Sequence, residues 1–196
     1  IKNMTWKIIP EGSSRTIALE AGEIDFIIEV EAMDADRLKG NDDLTVIDYN
    51  ATNLTWLMLN NETPGLDNQD VRHAINSAID KESVVTVAYN GMATPALSQM
   101  PMNFEGATEE NADTYDVEKA KEWLEKSGVD PASVKFSIIC SDDTKKRAAE
   151  VIQANLKEIG INCEIESMDL ATYMSATAEG NYTASIGGYS SSDLLS

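Results

Sequence analysis

Residues 55 to 91 read TWLMLNNETPGLDNQDVRHAINSAIDKESVVTVAYNG, and the punctuation of this stretch decides the fold. The apolar run Thr55 to Leu59 has the length and composition of a strand, and the corner Asn60-Asn61 to Pro64-Gly65 turns the chain away from it. Val71, Ala74, Ile75, Ala78 and Ile79 then recur at helical spacing along one face. Asp80 breaks that helix and can cap a second one carrying Val84, Val85 and Ala88, which stops at Asn90-Gly91. The polar residues here are turn and cap residues and the apolar ones are packing faces, so the stretch is a scaffold and not a reaction centre.

Outward from it, the spacing predicts further alternation of strand and helix. On the amino-terminal side, strands are expected at 4–9, 23–30 and 44–49. Helices are expected at 15–21, capped by Ser13 or Ser14 with Ile17, Ala18 and Ala21 inward, and at 32–38. The first strand, helix and strand would form a βαβ crossover. On the carboxyl side, 93–106 has no period and is expected as an ordered loop. Asp116 caps a helix with Val117, Ala120, Trp123 and Leu124 inward, ended by Gly128. A second βαβ unit follows, with strand 134–140, helix 145–159 and strand 161–166. Asp169 caps a helix through Leu170, Tyr173, Met174 and Thr177, and a last strand is expected over 182–188.

Composition narrows the function classes. The chain has 196 residues, 42% of them hydrophobic and 25% charged, enough for a packed core. Its formal net charge of −19 repels phosphate backbones and anionic lipid surfaces, which argues against nucleic acid as a partner. No apolar run approaches the ~20 residues of a membrane span. Cys140 and Cys163 lie in apolar runs and are expected as buried thiols.

Several strings together resemble the extracellular solute-binding proteins of ABC importers in the peptide/nickel-binding family, family 5. They are Ile8 to Glu11, Ala18 to Asp25, Leu59-Asn60, Pro64, Asp70 to Asp80, Gly91, and Tyr115 to Leu124, which is close to the family's Tyr-Asp-Pro-Glu-Lys-Ala-Lys-x-Leu-Leu with Val117 in place of Pro. The resemblance runs from Trp6 to Ser192. It implies an α/β fold with a mixed, mainly parallel central sheet and helices on both faces. Residues 1–196 would form a single ligand-binding lobe of a type II periplasmic-binding-protein clamp, a piece of a longer protein. It also implies capture of a peptide or similar small solute, with a nickel or metal chelate as the alternative, and delivery to ABC permease subunits on the outer side of the cytoplasmic membrane. No cofactor is expected. A monomer is expected, attached to the membrane only through an amino-terminal anchor outside this chain.

Catalysis finds little footing. His73 is the only histidine, and with two cysteines it cannot make a compact zinc site. No Gly-x-Ser-x-Gly elbow or phosphate-binding glycine loop is present, and Asp142-Asp143-Thr144 fits a helix cap. A hydrolase or transferase would need a nucleophile beside a base, which is not visible; a surface interaction domain is the other alternative. Binding is best placed at Gly187-Gly188-Tyr189-Ser190-Ser191-Ser192-Asp193, expected as a loop at the carboxyl end of a strand. Its glycines permit close backbone approach, Tyr189 offers a flat face and the serines offer hydroxyls; a plain Gly/Ser linker is the competing reading. In the resemblance, peptide-binding members have Gly-Trp-x-x-Asp here. Tyr189 falls at the Trp position and Ser192 at the Asp position, so the carboxylate that pairs with a peptide amine is replaced unless Asp193 takes its part. Leu170 stands where oligopeptide-binding members carry an aromatic, and Tyr173 is the aromatic of the same helix. The candidate ligand-binding set is Asn60, Leu170, Tyr173, Gly188, Tyr189, Ser190, Ser192 and Asp193.

Overall fold

The structure, a computed structural model, describes residues 1–190 except 29, 50, 102, 103, 105, 106 and 111, with Ser190 described in its backbone only. The chain divides into two compact units, Ile1–Tyr49 and Asn50–Ser196.

The first unit holds helices α1 (Gly12–Glu20) and α2 (Ala32–Lys39). Thr16, Ala18, Ala35 and Leu38 are its buried residues, and Arg37 of α2 pairs with Glu20 and, at 2.7 Å, with Asp34. Three expectations fail in this unit. Among its described residues 4–9, 23–30 and 44–49 are not strands, so the first βαβ crossover does not form. The apolar side chains that suggested strands, including Trp6, Ile8, Phe26 and Ile47, are exposed. An apolar run becomes a strand only when a neighbour accepts its backbone hydrogen bonds, and among the described residues none does so here. Helix α1 also starts earlier than expected, after Glu11 and without a side-chain cap, and turns Ile17 outward and Thr16 inward.

The second unit is built on a four-stranded sheet of β1 (Asn53–Leu59), β2 (Lys135–Cys140), β3 (Asn162–Ser167) and β4 (Ala184–Ser190). Their order is β1-β4-β2-β3. Strands β4, β2 and β3 are mutually parallel and β1 is antiparallel to β4, giving the mixed, mainly parallel sheet expected from the sequence. Helices α3 (Gln69–Ala78), α4 (Lys81–Tyr89), α5 (Val117–Ser127), α6 (Asp143–Glu158) and α7 (Leu170–Glu179) surround it.

The expected caps form. Asp80, Asp116, Asp142 and Asp169 each accept a hydrogen bond from the backbone N–H three residues on, at 2.8–3.1 Å, so each helix starts where its aspartate stands. Asn68 does the same for α3 through the N–H groups of Asp70 and Val71. The stop of α4 falls on Asn90, which takes the left-handed conformation at φ 51° together with Gly91. Arg72 donates to the carbonyls of Leu66 and Asp67 at 2.8 and 2.9 Å and ties the Pro64-Gly65 corner to α3.

One face of the sheet carries the core. Ile138, Phe136, Cys163, Ala184 and Ile186 meet Val71, Ala74, Ile75 and Ala78 of α3, Ala88 of α4 and Ala148, Ile152 and Leu156 of α6, with Ala120 and Leu124 of α5 in the same cluster. Leu57 and Leu59 pack against it from β1. On the other face α7 is fastened by Tyr173, whose hydroxyl lies 2.8 Å from Ser185 Oγ and donates to the Ile186 carbonyl at 2.9 Å. The β2-α6-β3 unit is the parallel crossover the sequence predicts. Both cysteines are free and buried. Cys140 pairs in register with Ser167 while Cys163 pairs with Phe136, so the thiols stand four residues apart along parallel strands. That is about 13 Å, too far for a disulfide.

Candidate functional site

Strand β4 extends past its expected end. The segment Gly187 to Ser190, expected as a loop, is the second half of β4, hydrogen-bonded to β1 in the register Gly187 with Trp56, Gly188 with Thr55, Tyr189 with Leu54 and Ser190 with Asn53. The reason is β1, which begins at Asn53 instead of Thr55 and offers backbone partners to those residues. Tyr189 thus stands on a rigid ladder near the carboxyl end of β4.

Side chains alternate across a strand, which separates the two faces of this ladder. Leu57, Leu59, Ala184 and Ile186 go to the core side. Trp56, Met58, Gly187 and Tyr189 share the opposite side. There the rings of Trp56 and Tyr189 stack, with centroids 6.1 Å apart and planes 19° from parallel. A methyl group placed on Gly187 would come within 2.9 Å of Met58 Cε, 3.2 Å of the Tyr173 hydroxyl and 3.4 Å of Trp56 Nε1. These three side chains therefore close over a backbone bare of Cβ. Tyr189 is 47% exposed and Trp56 is half-buried.

The predicted residues distribute unevenly around this surface. Tyr189 forms part of it. Gly188 is its sequence neighbour but points to the other face, toward Leu54 O and Thr55 Oγ1, and Gly187 is the glycine on the aromatic side. Leu170 begins α7 just past the carboxyl end of β3, exposed, one turn from Tyr173. Tyr173 is buried, with its hydroxyl committed to β4, and holds the strand that carries Tyr189. Asn60 lies at the opposite end of the ladder, six residues from Leu54 and so about 20 Å from Tyr189. There its amide donates to the Tyr182 carbonyl at 2.8 Å and accepts from Glu62 N–H at 2.9 Å, pinning the entry to β4. The structure does not bring Asn60 together with Tyr189. Ser190 continues β4, and Ser192 and Asp193 lie outside the described residues.

Beside this surface, at the carboxyl ends of β2 and β3, Ser141, Asp142, Asp143, Ser167, Met168 and Asp169 line a shallow depression. Asp169 is held below the usual carboxylate range by its hydrogen bonds with the Thr172 side chain and backbone. Lys145 reaches Asp142 at 2.6 Å and lies 6.0 Å from the centre of the Tyr173 ring. Among the described residues no three His, Cys, Asp or Glu side chains gather to hold a metal ion. Nor is any described helix long and apolar enough to cross a membrane. His73 is far from the sheet edge in role: it stacks on Trp123 at 4.7 Å and its Nδ1 lies 2.7 Å from Asp113 Oδ2, tying Asp113 to α3 and α5.

Trp56 and Met58 were not in the sequence-derived set. The signal that could have found them is the alternation in Trp56-Leu57-Met58-Leu59, which puts an indole and a thioether on the face the leucines leave.

The mixed sheet with its flanking helices is the fold of the type II periplasmic binding proteins, which its structural neighbours share. The chain belongs to the bacterial extracellular solute-binding proteins, family 5, whose middle portion it matches over residues 1–194. It is 30% identical over 189 residues to heme-binding protein A of Haemophilus influenzae, covering 93% of this chain and 35% of that protein. It is 27% identical to the glutathione-binding protein GsiB of Pectobacterium atrosepticum, covering 92% and 35%. Among solved structures it is similar to the periplasmic binding protein DppA of Helicobacter pylori in complex with the peptide STSA, with a TM-score of 0.86, 29% identity, and coverage of 94% of this chain and 36% of that one. The dipeptide-binding protein of a Pseudoalteromonas species in complex with Met-Leu matches at a TM-score of 0.82 and 26% identity, covering 95% and 38%. The chain spans about a third of the length of the curated relatives it matches.

Proposed function

We propose that the protein carrying this chain captures a peptide or similar small solute on the outer side of the cytoplasmic membrane and delivers it to an ABC permease. The observation that carries this reading is the Trp56–Tyr189 stack, held on a two-stranded ladder and turned away from the core. A rigid flat surface at a sheet edge can take a ligand at little ordering cost, and closure of a second lobe over it would remove that ligand from water. Relatives named for glutathione and structural neighbours holding peptides support a peptide-like solute. In this reading Tyr189 and Leu170 contact the ligand, Tyr173 and Gly188 shape the strand beneath it, and Ser190, Ser192 and Asp193 take part in binding. Asn60 fixes the far end of the ladder. Residues 1–196 act as one lobe, without catalysis; a monomeric state and a membrane anchor outside these residues complete the proposal.

Calorimetry of the full-length protein against a library of dipeptides, tripeptides and glutathione tests it. Saturable heat with at least one peptide, reduced by Tyr189→Ala, is expected. Absence of heat across the library, with binding of a metal chelate instead, would replace the peptide by the non-peptide solute.

A further inference from the structure

Resting on the reading of this edge as a ligand surface, we infer that Trp56 is a specificity-determining contact that selects solutes presenting a flat conjugated group. Its neighbours Leu57 and Leu59 are accounted for by the core; Trp56 and Met58 are not. The indole stands half-buried on an edge strand and off the core. Here it is held in place by three contacts that shape its presentation. The Tyr189 ring lies beside it nearly parallel, at 19°, so the two rings present similarly inclined faces and not a face and an edge. Gly187 lies under the indole nitrogen, where a Cβ would stand at van der Waals contact, 3.4 Å; the bare glycine is needed by Met58 Cε and the Tyr173 hydroxyl, which would come to 2.9 and 3.2 Å of that Cβ. Met58 Cε occupies the same notch and supplies a soft, polarisable floor.

None of Trp56, Tyr189, Met58 and Gly187 brings a charge, and Lys145, which lies over the Tyr173 ring, is paired with Asp142. Selection at this shelf therefore works through shape and polarisability. A flat π-surface can lie against the open face of such a ring over its whole area, whereas a puckered aliphatic ring of the same carbon count touches it at a few hydrogens. The flat group has two sources with this one chemistry, an aromatic side chain of a peptide or a planar macrocycle.

The test uses the full-length protein and calorimetry. One arm scans a single phenylalanine through the positions of a tripeptide and compares each with the same peptide carrying cyclohexylalanine; the other arm titrates a free porphyrin. At the best position phenylalanine should bind about fivefold more tightly than cyclohexylalanine, a difference the size of one aromatic stacking contact. Trp56→Leu should abolish that preference, or the porphyrin binding, while leaving the circular dichroism unchanged. Gly187→Ala, which displaces the Met58 methyl from the notch beneath the indole, should weaken it without touching Trp56, and decides the matter if Trp56→Leu does not fold. Peptides that bind equally well with either ring, with no Trp56-dependent porphyrin binding, overturn the inference and leave the peptide reading standing. Trp56-dependent porphyrin binding with no peptide binding does the reverse. Binding in neither arm overturns both.

Discussion

Replacing Tyr173 by phenylalanine removes one oxygen atom from the join between α7 and the strand that carries Tyr189. The ring carbons stay, so the apolar burial of this 7%-exposed side chain is unchanged and the effect isolates two hydrogen bonds. With the hydroxyl proton donated to the Ile186 carbonyl at 2.9 Å, Ser185 Oγ at 2.8 Å is left to donate to the tyrosine oxygen. Ser185 is fully buried, so in the variant both the serine hydroxyl and the carbonyl lose a partner that water cannot easily replace. A buried polar group left unpaired costs ~1–3 kcal/mol, which sets the expectation for Tyr173→Phe at about 2 kcal/mol. Ser185→Ala is milder, about 1 kcal/mol, because the tyrosine keeps its donation to Ile186 and only its acceptor role is emptied. The double variant should cost less than the sum by about 1 kcal/mol, since the second substitution removes a group the first had already orphaned. Hydrogen exchange of the β4 amides in the full-length protein reads this locally: 2 kcal/mol corresponds to about a thirtyfold loss of protection. Tyr173→Phe with unchanged β4 protection, or strict additivity in the cycle, would refute the claim that this hydroxyl clamps the binding strand. Peptide affinity measured on the same variant then tells whether a loosened β4 costs binding as well as order.

Further outcomes follow from other elements. Asp80→Ala should destabilise the protein by ~1 kcal/mol by uncapping α4, measured by urea denaturation. The Ser83 hydroxyl and backbone N–H hold the Asp80 carboxyl below the usual carboxylate range, so its contribution is present above about pH 4 and is lost as pH falls through the lowered folded value. The difference between wild type and Asp80→Ala should accordingly shrink on acidification; a difference that grew would invert the assignment. Burial pushes the Cys163 thiol up to about 11, so it stays protonated at neutral pH. Iodoacetamide should label neither cysteine of the native protein within minutes and both after unfolding, read by mass spectrometry; rapid native labelling would show that the sheet face is open. Leu156→Ala, at a fully buried position of α6, should cost ~2–5 kcal/mol in the same denaturation assay, and a cost under ~1 kcal/mol would mean α6 is not seated on the sheet as described.

What the sequence made legible was local. The caps at Asp80, Asp116, Asp142 and Asp169 and the stripe Val71, Ala74, Ile75 and Ala78 are settled within one or two turns of helix, and the structure places them as their spacing demands. The β2-α6-β3 crossover is nearly as local, because the helix between the strands forces them parallel. Strands are different objects. The runs at 4–9, 23–30 and 44–49 carry the same apolar content as β1, yet only β1 has a neighbour among the described residues, and composition says nothing about whether a partner exists.

The binding edge shows the same limit from the other side. Gly187-Gly188-Tyr189-Ser190 has the composition of a loop and is nonetheless a strand, because Asn53 to Trp56 lie opposite it and satisfy its backbone. Once that pairing is known, the period of two assigns every side chain: Gly188 falls to the Thr55 side, Gly187 to the side of Trp56, and Tyr189 beside the indole. A resemblance carried by motif can point to Tyr189, since that residue lies in the motif. It cannot point to Trp56, which sits some 130 positions away and meets Tyr189 only through the register of an antiparallel pair. For that reason the residue that distinguishes this surface is a consequence of pairing, and a single-residue slip of β1 against β4 would turn Trp56 and Met58 to the core side and set Thr55 and Leu57 beside Gly187 and Tyr189 in their place.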